Sequence, residues 1–181
     1  MKTFLKTPIE RMLQGLVYWL AYRDVVSRNK VLELVAVDEA TQILQLYMPS
    51  GYKVKNEYGY NNIDASFGNQ RADLSVINDQ NKCECLIEFK LSENTAGGYK
   101  KDVDKLHLVK VKCPDIDCYV VVLYRKSCRL GEPKELVLPN GKARRKKWVL
   151  NNAMITVRRV YTSLRSQVAT RMKRVICIEL V

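Results

Sequence analysis

The run "CYVVVLYR", Cys118–Arg125, constrains the fold more than any other stretch of this chain. It shows no polar alternation and is dense in β-branched side chains, which marks a strand covered on both faces. Such a strand needs partners at both edges and helices above and below it, so an α/β sheet is implied.

The flanking segments supply those parts. Pro8–Ser27 reads as a helix with Thr7 as cap and Pro8 in the first helical position. Its residues Ile9, Met12, Leu13, Leu16, Val17, Leu20 and Ala21 keep helical spacing. A second helix is expected over Val31–Met48, with Val37, Ala40, Ile43, Leu44 and Tyr47 on one stripe and "MPSGY" as its stop. Tyr52–Tyr58 alternates like a strand, and "GYNNIDASFGNQ" reads as a loop. Two more strands follow, Arg71–Ile77 and Cys83–Leu91, joined by the polar "NDQNK". A helix over Tyr99–Lys112, ended by Pro114, precedes the central strand.

Beyond the central strand, "ELVLPNGKARRKKWVL" is expected to be a hairpin turning at Asn140-Gly141. Ala153–Met172 is expected to be a basic helix, and Val175–Leu180 a last strand. The expected fold is one α/β domain over residues 1–181, a mixed sheet flanked by helices. It divides into an N-terminal helix (1–30), a core (31–125) and a basic hairpin, helix and strand (126–181).

Hydrophobic residues make up 47% of the 181, enough to bury a core. No apolar run is long enough to cross a bilayer, and no secretory leader is visible, so a cytoplasmic protein is the default. The six cysteines are read as free thiols of a reducing compartment. A zinc site from Cys83 and Cys85 with Cys113 and Cys118 is the alternative, although the spacings are not those of common zinc ribbons. The one histidine, His107, sits in no nucleophile motif.

Charge is distributed unevenly. The net charge is +12, yet no Asp or Glu lies between Leu136 and Ile178, where eleven Lys and Arg residues fall. One-sided charge of this kind favours a polyanion, most often nucleic acid, over an anionic membrane. Arg144, Arg145, Lys146 and Lys147 on the hairpin are the candidate phosphate contacts, with Arg158 and Arg165 on the basic helix. Trp148 is placed in the core in preference to a stacking role.

The candidate chemistry lies in "RADLSVINDQNKCECLIEFKL". Residues two apart in a strand share a face, so Glu88 and Lys90 point together, opposite Ile87 and Phe89. If Arg71–Ile77 and Cys83–Leu91 form a hairpin centred between Gln80 and Asn81, opposed residue numbers sum to 161. Asp73 then faces Glu88. Two carboxylates that close need a cation between them or a shared proton, and Mg²⁺ or Mn²⁺ is the natural occupant. The plain alternative is a solvated Glu88–Lys90 ion pair, with Asp73 bridged to Arg71 or merely starting the strand.

Asp73, then Glu88-Phe89-Lys90, resembles the PD-(D/E)XK nuclease superfamily, with "RAD" at the proline-aspartate position. The helix "GYKKDVDKLHLVK" and the strand "CYVVVLYR" fit the same plan, so the likeness runs from about Val31 to Arg125. The resemblance implies a restriction-endonuclease-like fold with the basic hairpin as an insertion. It implies a Mg²⁺-dependent (or Mn²⁺-dependent) endonuclease acting on nucleic acid, DNA favoured over RNA. Asp73, Glu88 and the backbone carbonyl of Phe89 would be metal ligands and Lys90 the catalytic lysine. It also implies an acidic residue on the preceding helix, Glu39 or Glu33, with Glu39 preferred for its position one helix length before the "GYKV" strand. Lys101 is the expected auxiliary phosphate contact, with Lys100 and Lys105 as alternatives. A homodimer would supply two sites for cutting both strands of a duplex. Two other classes stay open: a catalytically silent nucleic-acid-binding module of the same fold, and a basic protein-interaction domain.

Overall fold

The computed structural model describes residues 2–26, 33–92, 99–124, 148–150, 153–162 and 174–181. Helix α1 spans Thr3–Val26 and α2 spans Glu33–Tyr47. Strands β1 (Tyr52–Gly59), β2 (Arg71–Asn78) and β3 (Cys83–Ser92) follow, then helix α3 (Lys100–Lys112) and β4 (Asp117–Tyr124). Strands β5 (Trp148–Leu150), β6 (Ala153–Thr162) and β7 (Arg174–Leu180) complete the order.

The strands form one mixed sheet ordered β1-β2-β3-β4-β7-β6-β5. Among the described strands, only β3 and β4 pair in parallel, because α3 carries the chain back across the sheet between them. As the sequence requires, β4 is central: Cys118–Leu123 are fully buried, with β3 on one side and β7 on the other.

The two helical layers take opposite faces. Along α1, Leu5, Ile9, Met12, Leu13, Leu16, Val17 and Leu20 recur at helical spacing, and all are buried. They join Ala36, Val37, Ala40 and Leu44 of α2 over Leu74, Ile87, Phe89, Val121 and Cys177 of the sheet. On the other face, Val103, Leu106 and Val109 of α3 cover Leu86, Val120, Val122 and Ile178. Burial stabilises by about 1.5–3 kcal/mol for each large apolar side chain. Gly15 permits the close approach of α1 and α2, since a Cβ there would meet Ile43 Cδ1 at 2.6 Å.

Several expectations change. Pro8 is the sixth residue of α1, not its first. It forfeits one intrahelical bond, and the apolar stripe packed on the sheet holds the helix regardless. Tyr47, expected on the buried stripe of α2, is 45% exposed at the helix end. The largest difference lies in the basic third. Residues Ala153–Thr162 form β6, not a helix, and pair with β7 on one side and β5 on the other. The partner of β5 is thus β6, whereas the expected hairpin arm at 135–138 and its Asn140-Gly141 turn lie outside the described residues. "AMITVRRVYT" is rich in β-branched residues, and β7, buried on both faces, must have a partner at its second edge.

Candidate active site

Asp73 sits where the β2 ladder is interrupted on both sides. Toward β3 the register runs Leu74↔Ile87, Ser75↔Leu86 and Val76↔Cys85, the alignment expected from the sequence, and it stops at Leu74. Toward β1, Asn56 pairs with Leu74 and Tyr58 with Ala72, while Glu57 between them takes a left-handed φ of 54°. A non-glycine residue in that region distorts the strand and costs about 1–3 kcal/mol. Released from regular pairing, Asp73 turns its carboxylate across to β3, where Oδ2 accepts the backbone N–H of Phe89 at 2.6 Å.

Asp73 and Glu88 are close enough for the charge of Glu88 to raise the Asp73 pKa. Glu88 is only 3% exposed and alternates with Ile87 and Phe89, so it points to the α3 face of the sheet. A carboxylate this buried needs donors. Two residues that the sequence reading left out of the carboxylate contact provide them. Tyr60 Oη donates to Glu88 Oε1 at 2.5 Å, and Lys105 Nζ lies 2.5 Å from the same oxygen. Lys105 also donates to the Arg71 carbonyl at 2.8 Å and sits 5.0 Å from the centre of the Tyr60 ring. The usable signals were faint: an aromatic in the polar loop "GYNNIDASFGNQ", and a lysine flanking the buried stripe of α3.

The ion pairs formed are not the ones the plain reading named. Lys90 pairs with Glu33 at 3.8 Å, and Arg71 pairs with Glu57 at 3.9 Å. Glu33, the first residue of α2, also accepts the backbone N–H of Leu91 at 2.8 Å through Oε2. It therefore stands at the end of β3 beside Lys90, in the place that the sequence reading preferred for Glu39. Six residues of helix carry Glu39 about 9 Å further along the axis and about 120° around it. The structure does not bring Glu39 to Asp73 or Glu88.

Asp102, in the first turn of α3, completes the acidic border. Its Oδ2 is buried with no hydrogen-bond partner among the described residues, and its carboxyl interacts with Lys90, Lys105, Asp73 and Glu33. Burial raises its pKa above the ordinary aspartate value, against the pull of the two lysines. Asp73 is shifted further. Burial pushes it up to about 7, the Phe89 N–H opposes that, and the adjoining Glu88 adds to it. Burial is the main cause, and the neighbouring Glu88 charge is secondary.

Among the described residues, no three His, Cys, Asp or Glu side chains are gathered closely enough to enclose a metal as they stand. Asp73 and Glu88 form a converging pair, and Glu33 is turned toward Leu91 and Lys90. The donor set is nevertheless one of hard oxygens, suited to Mg²⁺ or Mn²⁺, and the orphaned Oδ2 of Asp102 marks unsatisfied negative charge beside it. Asp73 and Glu88 offer oxygen donors of the kind such an ion takes, while Glu33 is held by Leu91 and Lys90.

Of the expected phosphate contacts, Lys101 is exposed on α3, and it is Lys105 that reaches the carboxylates. Arg144, Arg145, Lys146, Lys147 and Arg165 lie outside the described residues. The backbone at Arg158 falls at a register shift of β6, between Val157↔Ile178 and Arg159↔Cys177. Cys83, Cys85, Cys118 and Cys177 are buried thiols and Cys113 is half-buried, while Cys128 lies outside the described residues. Burial pushes both Cys83 and Cys118 up to about 12, which disfavours thiolate chemistry. No helix among the described residues is long and apolar enough to cross a membrane.

No protein-family model, no curated protein and no solved structure matches this chain. The functional reading therefore stands on the residues themselves.

Proposed function

We propose that this protein is a metal-dependent nuclease that hydrolyses phosphodiester bonds, in DNA before RNA, on a restriction-endonuclease-like sheet. The observation that carries this reading is Asp73 held on the Phe89 N–H next to the buried Glu88, with Lys105 on Glu88 and Lys90 beside Glu33. Asp73, Glu88 and the Phe89 backbone carbonyl would hold Mg²⁺ or Mn²⁺, with Glu33 as the further acidic side chain. When bound, the ion lowers the pKa of a water and offsets charge on the scissile phosphate.

The chain's own groups prepare that chemistry. The Phe89 N–H holds Asp73, and the Tyr60 hydroxyl and Lys105 hold Glu88, so both carboxylates are fixed before substrate arrives. Lys90 is less committed. Its ion pair with Glu33 is long, both side chains are 38% exposed, and such a pair contributes only about 0–1 kcal/mol. Lys90 is thus free to turn to a phosphate oxygen and stabilise charge developing in the transition state. The acid-free basic stretch from Leu136 to Ile178 supports a polyanionic substrate.

The test is cleavage of single- and double-stranded DNA and RNA with Mg²⁺ or Mn²⁺, comparing wild type with Glu88→Ala and Lys90→Ala. Wild type is expected to cut, with loss of about 10²–10³-fold in each variant, the scale for removing one preorganised charge-stabilising group. Equal activity in all three proteins sinks this site. Salt-sensitive binding without metal-dependent cleavage assigns the chain to a silent binding module instead.

A further inference from the structure

We propose that Lys105 is a resident cation of this site, and that it limits the site to one divalent ion. The inference rests on the metal-binding reading above and concerns how many ions these residues can take.

Three contacts fix the ammonium group. It lies 2.5 Å from Glu88 Oε1, donates to the Arg71 carbonyl at 2.8 Å, and stands 5.0 Å from the Tyr60 ring centre. Its side chain is 24% exposed and that of Glu88 only 4%, so solvent screens the pair weakly. Surface lysines are not usually anchored in this way.

The oxygens are already divided. Glu88 Oε1 serves both Tyr60 and Lys105, Asp73 Oδ2 serves Phe89, and Glu33 Oε2 serves Leu91. Glu33 Oε1 faces Lys90 at 3.8 Å, so both of its oxygens are engaged. The two oxygens left over, Oε2 of Glu88 and Oδ1 of Asp73, suit a single ion that keeps several of its waters. Paired metal ions lie about 3.5–4 Å apart. A second ion that close has to share a ligand carboxylate, and the Glu88 oxygen it needs is the one held by Lys105. Charge leads to the same count. Glu33, Asp73, Glu88 and Asp102 carry four negative charges when ionised, against two positive charges on Lys90 and Lys105. One divalent ion brings the group to neutrality, and Lys105 supplies fixed positive charge in place of a second.

Mn²⁺ titration of the full chain decides the matter by calorimetry and electron paramagnetic resonance. Wild type is expected to take one Mn²⁺ with an uncoupled spectrum. Lys105→Met, checked for folding by circular dichroism, is expected to take two, with the exchange coupling of neighbouring ions. Lys105→Gln keeps a donor toward Glu88 without the charge and substitutes if the methionine variant does not fold. Two coupled ions in wild type overturn the inference and leave the metal site standing, as does a single ion in a folded neutral variant. The wild-type count alone can refute the inference even if neither variant folds. No Mn²⁺ binding in wild type, or binding indifferent to Glu88→Ala, removes the metal reading and this inference with it.

Discussion

Asp73 and Phe89 are joined by a side-chain-to-backbone hydrogen bond, Oδ2 to N–H at 2.6 Å, at the point where β2 and β3 stop pairing through their backbones. The bond ties the hairpin together and orients the carboxylate. One oxygen anchors Asp73 to β3, which brings its carboxyl group against Glu88. The left-handed Glu57 on β1 leaves the same position of β2 unpaired on its other side. Local strain and site geometry therefore share one cause.

Asp73→Asn should stabilise the protein at pH 8. Burial raises Asp73 from 3.8 to about 7, so the folded chain binds a proton that the unfolded chain has lost between those values. That contribution is complete below about pH 4 and disappears as pH rises through 7. Asparagine keeps an acceptor for Phe89 and presents an N–H to Glu88 at every pH. After discounting for solvent access, the gain at pH 8 is on the order of 2 kcal/mol, or roughly 4–8 °C in Tm. Calorimetry from pH 4 to 8 should show the wild-type Tm falling more steeply than that of the variant. Parallel curves would show that Asp73 does not carry the proton.

The same proton should be expelled when a divalent ion binds, because the ligand must be ionised. Mn²⁺ affinity is expected to rise up to about tenfold per pH unit below 7 and to level off above it. Calorimetry in two buffers of different ionisation enthalpy should report close to one proton released at pH 6. A pH-independent affinity would contradict a proton held on Asp73 near neutral pH.

The part of this site governed by strand geometry was legible in the sequence. The run at Cys118–Arg125 demanded a central strand, and the expected alignment holds from Leu74↔Ile87 to Val76↔Cys85, although a shift between Val76 and Ile77 moves the turn-proximal pair to Ile77↔Cys83. What depends on tertiary approach was not legible. Glu33 and Glu39 share a helix, and only the angle at which α2 meets β3 selects between them. Tyr60 reaches Glu88 across 28 residues and Lys105 reaches the Arg71 carbonyl across 34, distances over which no periodicity carries information. In the basic third, the spacing of the arginines suggested a helical stripe. The β-branched content of Ala153–Thr162 and the need of β7 for a partner override it.

Two tyrosine-to-phenylalanine changes should have opposite effects. Tyr60 donates to the buried Glu88, so Tyr60→Phe strips a donor from a carboxylate with little access to water. A loss of about 1–3 kcal/mol is expected in urea unfolding. Tyr119 is fully buried in β4 and its hydroxyl has no hydrogen-bond partner among the described residues, so Tyr119→Phe removes a polar atom unsatisfied there. It should be neutral or stabilising by up to about 1 kcal/mol. Equal losses in both proteins would mean that the Tyr60 hydroxyl contributes nothing through Glu88.

Glu33 and Glu39 provide the sharpest test of how α2 contributes to the site. Glu33 lies beside Lys90 and accepts from Leu91 through one oxygen, with the other 3.8 Å from the lysine. Glu33→Gln keeps an acceptor for Leu91 and removes the charge. The fold should survive, while Mn²⁺ affinity falls by roughly 10-fold or more, the scale for losing one member of a ligand set. The same change should release Lys90 from its ion pair, so any residual cleavage should become more sensitive to salt. Glu39→Gln alters a half-buried position about two helical turns away and should leave both quantities within twofold of wild type. Comparable losses in the two variants would mean that α2 presents a different face to bound metal. A loss confined to Glu39→Gln would return the third acidic role to the residue that the sequence alone favoured.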